Sequence, residues 1–174
     1  MSEEKKEISA GILVYRIDKD NKIQVLLGKN GGPKWSKRSV GAWNIPKGHI
    51  EEGENILDGA IREFMEETSL PIEIGDIVEK IYLGTSKTSF GKIVHIYAIN
   101  HDYTGSDDVY RVEIKSNMCE TEWPPKSGKI IEVPELGEAY YFKLEVAKRM
   151  IFPYQKVFLE KLEEELGKNE TKKI

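Results

Sequence analysis

Residues 48–70, with the sequence GHIEEGENILDGAIREFMEETSL, decide the fold of this chain. The pattern from Asn55 to about Ser69 is typical of a helix, and Pro71 marks its end. At about 100° per residue, the apolar side chains of this stretch fall on one arc of roughly 140°. They are Ile56, Leu57, Ala60, Ile61 and Phe64. The stretch therefore predicts an amphipathic helix that packs one face against a core.

The same helix carries three carboxylates on one side. Glu63, Glu66 and Glu67 share an arc of roughly 100°, and Glu67 projects among the apolar residues. Glu63 and Glu67 form a like-charge i,i+4 pair, which is unfavourable unless a cation lies nearby. Arg62 can reach Glu66, but one guanidinium cannot neutralise three carboxylates. A hard divalent cation such as Mg²⁺ would do so, and a solvated acidic surface is the alternative interpretation.

Length and composition limit the classes of protein to which the chain can belong. It has 174 residues, of which 39% are hydrophobic and 32% charged, which is typical of one globular domain. We expect a single domain over residues 1–167 and a disordered tail over 168–174. The net charge of −4 argues against a surface that coats nucleic acid.

The apolar runs and the cysteine count limit the environment in which we expect the protein. No apolar run approaches the roughly 20 residues that span a bilayer, and the charged start does not resemble a signal peptide. We therefore expect a cytoplasmic protein without a membrane partner. Cys119 is the only cysteine, which excludes an internal disulfide and a thiolate metal cluster.

Strand and helix patterns alternate along the chain without an internal repeat. Ile8–Ile17 and residues 23–27 predict a hairpin, residues 28–41 a long loop, and residues 42–48 a short strand broken by Pro46. Further strands are predicted at 77–83, 92–99, 109–114 and 139–142, an irregular loop at 117–135, and helices at 145–151 and from Pro153. One sheet-centred α/β fold follows from this order.

The spacing of the charged residues resembles the signature of the Nudix hydrolases. Gly48 is followed after five residues by Glu54, and after seven more by an Arg-Glu-Phe-x-Glu-Glu segment at 62–67. The departure is Ser69, where the family usually has glycine; a left-handed serine costs roughly 1 kcal/mol. Segments 9–15, 31–35, 41–48 and 122–128 look like a little-characterised Nudix subgroup of predicted nucleoside-triphosphate pyrophosphohydrolases. Residues 46–54 are also similar to diadenosine tetraphosphate hydrolases.

This resemblance implies an α/β/α sandwich with a mixed sheet. It further implies cleavage of a pyrophosphate bond in a nucleoside diphosphate derivative, most directly a dinucleoside polyphosphate or a nucleoside triphosphate. Water would attack phosphorus in line with Mg²⁺ as cofactor, and Mn²⁺ is the alternative ion. The partner is thus a small nucleotide substrate.

The resemblance also assigns roles to residues. Glu63, Glu66 and Glu67 would bind the metal with the carbonyl of Gly48. The catalytic set comprises Glu63, Glu66, Arg62 and Glu54; the last two orient the carboxylates, and Glu63 is the favoured general base ahead of Glu66. One further carboxylate is expected from residues 117–135, where the sequence leaves Glu120, Glu122, Glu132 and Glu135 open.

Phosphate contacts are predicted at Lys47 and Arg38, with Lys34 and Lys37 also open. Base stacking is predicted at Trp43, with Trp35 and Trp123 also open. Solvated charge and core packing are the respective alternatives. Two other functions also remain open: a non-catalytic nucleotide-binding or regulatory module, and an RNA 5′-end pyrophosphohydrolase, which the acidic net charge disfavours. The nucleotide, the attacked phosphorus and the oligomeric state are not determined by the sequence.

Overall fold

The computed structural model describes residues 7–171, and the side chains of residues 7–168. The strands are β1 (Ile8–Ile17), β2 (Ile23–Asn30), β3 (Trp43–Asn44), β4 (Lys47–His49), β5 (Ile81–Lys87), β6 (Ile93–Asn100), β7 (Arg111–Val112), β8 (Met118–Glu122), β9 (Ile130–Pro134) and β10 (Leu136–Lys143). The helices are α1 (Ile56–Thr68), α2 (Ile74–Val78), α3 (Leu144–Met150) and α4 (Lys156–Thr171), the last preceded by a 3-10 turn at Pro153–Gln155. Within residues 7–171, no helix has both the length and the hydrophobicity that crossing a membrane requires.

Eight of the strands form one mixed sheet. Its main order is β5-β6-β1-β2-β10-β7, with β3 paired to β2 and β4 paired to β1. Strand β1 runs parallel to β6 and antiparallel to β2 and β4. It is buried from Ala10 to Arg16, which is expected of a central strand covered on both faces.

Helices cover the two faces of this sheet. On one face, Ala60 and Phe64 of α1 pack against Ile12 and Val14 of β1. On the other face, α3 and α4 pack against the alternate residues of β1 and β2, and the core includes Leu13. The predicted apolar face of the last helix forms part of this core, with Phe158 and Leu162 fully buried and Leu166 half-buried. The α/β/α sandwich with a mixed sheet is therefore confirmed.

Several element predictions were wrong in type or extent. Residues 74–78 form α2, so the strand expected from residue 77 begins only at Ile81. Strand β2 continues to Asn30 and shortens the predicted loop, whereas the strand expected at 109–114 is limited to Arg111–Val112. Helix α4 extends to Thr171, and residues 172–174 lie outside the described part, so the expected tail over residues 168–174 stays a prediction.

The largest difference concerns residues 117–135. In place of an irregular loop, β8 and β9 form an antiparallel hairpin whose register runs from Met118 opposite Pro134 to Glu122 opposite Ile130. Burial alternates along both strands, with Val133 of β9 buried, but apolar residues fall on both faces, as in the adjacent pairs Met118–Cys119 and Ile130–Ile131. A search for a hydrophobic period of two therefore fails to detect this hairpin.

Helix α1 ends in the left-handed geometry that the family usually assigns to glycine. Ser69 has φ 59° and ψ 17°, and its backbone N–H donates to the carbonyl of Met65. Its hydroxyl also donates to the carbonyl of Lys115 at 2.6 Å. This hydrogen bond to the segment that leads into β8 thus offsets the steric cost of the left-handed serine.

We expect the variants Ser69→Gly and Ser69→Ala to separate these two effects. Both lose the hydrogen bond to Lys115, worth ~1 kcal/mol, but glycine also relieves a steric cost of similar size. In urea unfolding, Ser69→Ala should therefore be ~1 kcal/mol less stable than the wild type. Ser69→Gly should have a stability close to that of the wild type. Equal stability of the two variants would show that the left-handed conformation has no cost here.

Candidate active site

Arg62 links α1 to the loop that precedes it. Its Nε and Nη2 donate to the two carboxylate oxygens of Glu54 at 2.8 and 3.0 Å. Its Nη1 donates to Glu63 at 3.0 Å and to Glu66 at 3.1 Å, and Nη2 also reaches the carbonyl of His49 at 3.0 Å. The structure thus places Glu54 and Arg62 in the expected ion pair.

This pairing fixes the charge state of both partners. The hydrogen bond from Arg62, followed by one from the backbone N–H of Glu51, lowers the pKa of Glu54 to about 2. The same bond to Glu54 raises the pKa of Arg62. A planar guanidinium bound by two oxygens has a fixed orientation, so its remaining N–H groups hold Glu63 and Glu66 in defined positions.

The carboxylate of Glu63 lies directly against Gly48 of β4. A Cβ atom at position 48 would collide with that carboxylate, so the close approach requires glycine. Burial raises the pKa of Glu63, the nearby charges of Glu66 and Glu135 add to this, and Arg62 opposes it.

Glu67 is buried, as its projection among the apolar residues predicted. Its side chain is 6% exposed, and one carboxylate oxygen accepts a hydrogen bond from the backbone N–H of Lys47 at 3.2 Å. Burial, together with the adjacent carboxyl group of Glu135, raises the pKa of Glu67 to about 9. A buried carboxyl group, Glu67, therefore contacts a half-buried one, Glu135.

The structure distinguishes among the four carboxylates that the sequence left open. Glu135, between β9 and β10, is the one that contacts Glu67. Glu120 lines a cleft beside Glu67 and Glu135, which is described below. Glu122 and Glu132 are exposed on the hairpin. The backbone of Asn117 joins these parts, because it accepts from the N–H of Glu135 at 3.0 Å and donates to the carbonyl of Glu66 at 2.9 Å.

A cleft of about 300 Å³ opens beside this carboxylate pair. The loop after β2, the β3–β4 segment and the β8–β9 hairpin form its walls. Its charged lining residues are Lys34, Lys47, Glu67, Glu120 and Glu135, and its aromatic lining residue is Trp35. Cations, carboxylates and an indole ring are thus within one opening, which suits a ligand that combines phosphates with an aromatic base.

The predicted substrate contacts differ in their placement. Lys47 lines the cleft, while Arg38 lies 5.5 Å from the centre of the Trp35 ring. Trp43 is only 5% exposed and packs edge-on against Phe142 in the core at 4.9 Å. Its assignment to base stacking is therefore corrected, since its ring is covered by protein. Trp35 is the tryptophan that lines the cleft.

The donor atoms suit a hard cation. Carboxylate and carbonyl oxygens favour Mg²⁺ or Mn²⁺ over softer metals, and a cation offsets the cost of burying Glu67 beside Glu135. Within residues 7–168, no three acidic, histidine or cysteine side chains stand close enough together to enclose an ion in this arrangement. In the same arrangement Arg62 forms ion pairs with Glu63 and Glu66.

Two solved structures illustrate that this architecture is a known fold. The binary complex of a C. elegans Ap4A hydrolase has a TM-score of 0.57 at 20% identity, covering 91% of this chain and 98% of that one. The NUDIX domain of Shewanella oneidensis NrtR, solved with ADP ribose, has a TM-score of 0.59 at 15% identity, covering 94% and 90%. At these identities the likeness shows the fold alone.

A family model described as NUDIX domain matches residues 5–162, and the chain belongs to the Nudix family. Nudix hydrolase 2 of Arabidopsis thaliana is 34% identical over 82 residues, which are 47% of this chain and 27% of that protein. An RNA pyrophosphohydrolase of Cereibacter sphaeroides is 46% identical over 41 residues, 24% of this chain and 25% of that protein. The matched regions thus span about a quarter of the length of these relatives.

The position of β4, which carries Lys47 and Gly48, depends on a close backbone contact with β1. A Cβ atom at Gly11 would collide with the carbonyl oxygen of Pro46 and with Lys47. We expect Gly11→Ala to lower the free energy of unfolding by about 1–3 kcal/mol, because two paired backbones must separate.

Urea unfolding tests this expectation, with Gly75→Ala as the matched control. Gly75 lies in α2, and no atom stands within 4 Å of where a Cβ atom would be, so alanine there should be neutral or slightly stabilising. A Gly11→Ala protein as stable as the control would contradict the proposed contact.

Proposed function

We propose that the protein is a divalent-cation-dependent hydrolase that cleaves a pyrophosphate bond in a nucleoside diphosphate derivative. Dinucleoside polyphosphates and nucleoside triphosphates are the favoured substrates. The observation that carries this proposal is the contact of buried Glu67 with half-buried Glu135 at a cleft that also presents Lys34 and Lys47. Family membership supports it, and the cytoplasm, where nucleotides are abundant, is the proposed location.

The metal would be held by oxygen atoms of α1 and its surroundings. We assign Glu63, Glu66, Glu67 and the carbonyl of Gly48 as ligands, with Glu135 as the further carboxylate. When bound, Mg²⁺ or Mn²⁺ supplies charge neutralisation on the phosphates and lowers the pKa of a water molecule.

The protein's own residues would bind, orient and deprotonate. Lys34 and Lys47 bind the phosphate oxygens, and Trp35 stacks on the base. Glu63 accepts the proton of the attacking water, because its burial makes it more basic than an ordinary carboxylate. The new bond forms between water oxygen and phosphorus, and the bond from phosphorus to the bridging oxygen breaks.

Arg62 and Glu54 take no part in bond making in this scheme. The bidentate pair holds the carboxylates of Glu63 and Glu66 at fixed positions, which lowers the cost of organising the site when substrate binds. Arg38, packed against Trp35, supports the ring and adds positive charge near the cleft.

A second candidate function is hydrolysis at the 5′ end of RNA. The identity of 46% over 41 residues to an RNA pyrophosphohydrolase favours it. The net charge of −4 opposes it, because RNA binding usually relies on a basic surface. Salt-sensitive binding of a 5′-triphosphorylated RNA would distinguish this function from hydrolysis of small nucleotides.

The first experiment measures product release with Mg²⁺ from a panel of nucleotides. The panel contains diadenosine polyphosphates, nucleoside triphosphates, nucleotide sugars, dinucleotide cofactors and a 5′-triphosphorylated RNA. We expect turnover of one class, and a loss of about 10²-fold or more in kcat in Glu66→Gln, which removes a negative ligand without changing shape. Glu160→Gln, an exposed glutamate on α4, is the control and should match the wild type.

The outcome decides between hydrolase and binding module. Binding of nucleotides without turnover of any class would contradict the hydrolase and favour a regulatory role. Full activity in Glu66→Gln would contradict the assignment of this residue while leaving the reaction in place.

Thermal unfolding provides a test of metal binding that is independent of activity. Mg²⁺ at about 100 times its Kd should stabilise the folded state by about 2.7 kcal/mol, a rise in Tm of roughly 5–10 °C for a protein of this size. Glu67→Gln keeps an acceptor for the Lys47 N–H but lacks the charge, so its Tm should barely respond. Glu160→Gln should respond like the wild type, and an equal rise in Glu67→Gln would exclude Glu67 as a ligand.

A further inference from the structure

A row of three amide side chains leads from the core to the cleft. It starts at Gln155, which is fully buried in the 3-10 turn before α4. The side-chain oxygen of Gln155 accepts a hydrogen bond from the backbone N–H of Ile45 at 2.8 Å. Because a backbone N–H can only donate, this bond determines which end of the Gln155 amide is the oxygen.

The orientation of Gln155 fixes the orientation of the next two amides. Its Nε2 donates to Oδ1 of Asn44 at 3.0 Å and to the hydroxyl of Tyr154 at 3.0 Å. Nδ2 of Asn44 in turn donates to Oδ1 of Asn30 at 2.7 Å. The free end of Asn30 is therefore its Nδ2, a donor, and no acceptor for that atom occurs among the described residues.

Asn30 and Asn44 both line the cleft, together with Trp35 and Lys47. We infer that Asn30 is a specificity-determining residue whose Nδ2 donates to a carbonyl oxygen of the substrate's base, and that Asn44 and Gln155 position it. This inference rests on the proposed function, and it specifies the substrate as a nucleotide with an oxo base, of the hypoxanthine or guanine kind.

The chemistry of the cleft separates this contact from phosphate binding. Phosphate oxygens are strongly attracted to the charged donors Lys34 and Lys47. A neutral amide in the opening that holds the Trp35 ring is suited to the edge of a stacked base. An amino group at the same position would place two donors opposite each other and leave both without a partner. The expected discrimination between an oxo and an amino base is about tenfold for one such hydrogen bond.

Two variants replace the donor that Asn30 presents to the cleft with an acceptor, each by a different change. Asn30→Asp replaces the donor with an oxygen, while its other oxygen still accepts from Asn44. Asn44→Asp leaves Asn30 unchanged in sequence. Its carboxylate accepts from Gln155 and requires a donor from Asn30, so the Asn30 amide turns and presents its oxygen to the cleft.

Asn100→Asp is the control for the added charge. Asn100 is exposed at the end of β6, and the change adds the same negative charge as the two test variants. The additional charge also weakens phosphate binding in the test variants, but it does so equally for two nucleotides with the same phosphates. The ratio of their dissociation constants therefore reports only on the base.

The experiment measures Kd for inosine and adenosine 5′-monophosphate by calorimetry in EDTA, and kcat/KM for the two triphosphates with Mg²⁺. We expect the wild type and Asn100→Asp to bind the inosine nucleotide about tenfold more tightly. Asn30→Asp and Asn44→Asp should each shift this ratio by about tenfold towards adenosine.

The possible outcomes separate the inference from the proposed function. A shifted binding ratio without turnover of any nucleotide would overturn the hydrolase and uphold the role of Asn30. Turnover with an unshifted ratio in both variants, or no binding of either monophosphate by the wild type, would overturn the role of Asn30. A shift in Asn30→Asp alone would overturn the positioning role of Asn44 and Gln155.

Discussion

The contact between Arg62 and Glu54 is the interaction on which the rest of the site depends. Without it, α1 would carry three carboxylates on one side with no internal counter-charge. The guanidinium binds both oxygens of Glu54 and still has N–H groups for Glu63, Glu66 and the carbonyl of His49. It therefore connects the loop after β4 to the helix and positions its acidic side. A lysine could not do this, since an ammonium group has no planar fork to bind two oxygens and orient two more groups.

The burial of Glu67 is the second constraint, and it involves residues much further along the chain, up to Glu135. A carboxyl group buried between β4 and the β9–β10 connection requires compensation from both sides. The backbone N–H of Lys47 provides one partner, and Glu135 brings a second acidic group instead of a cation. The connection is held in place through Asn117, whose backbone is bonded to both Glu135 and Glu66. A cation bound here, as proposed, would offset the cost of placing these two acidic groups together.

Much of this site is encoded in local sequence patterns. The burial of Glu67 follows from its angular position among the apolar residues of α1, and the ion pair of Arg62 with Glu66 follows from their i,i+4 spacing, whereas the pair with Glu54 is implied only by the family resemblance. The choice of Glu135 does not, because it depends on the register of β8 against β9, which strands without an alternating hydrophobic pattern do not reveal. Nor does local sequence distinguish Trp35 from Trp43. Only the pairing of β3 with β2 turns Trp43 into the core and leaves Trp35 at the cleft.

The cleft combines two kinds of recognition that obey different physics. Charged groups such as Lys34 and Lys47 attract any polyphosphate, and salt weakens that attraction without changing its order of preference. A hydrogen bond from a neutral amide contributes less affinity, but it distinguishes an acceptor from a donor because a mismatch leaves two groups unpaired. Such discrimination requires an amide that cannot turn to suit either ligand. The row that ends at Asn30 meets this requirement, since its direction is set in the core by a backbone N–H, where no ligand can alter it.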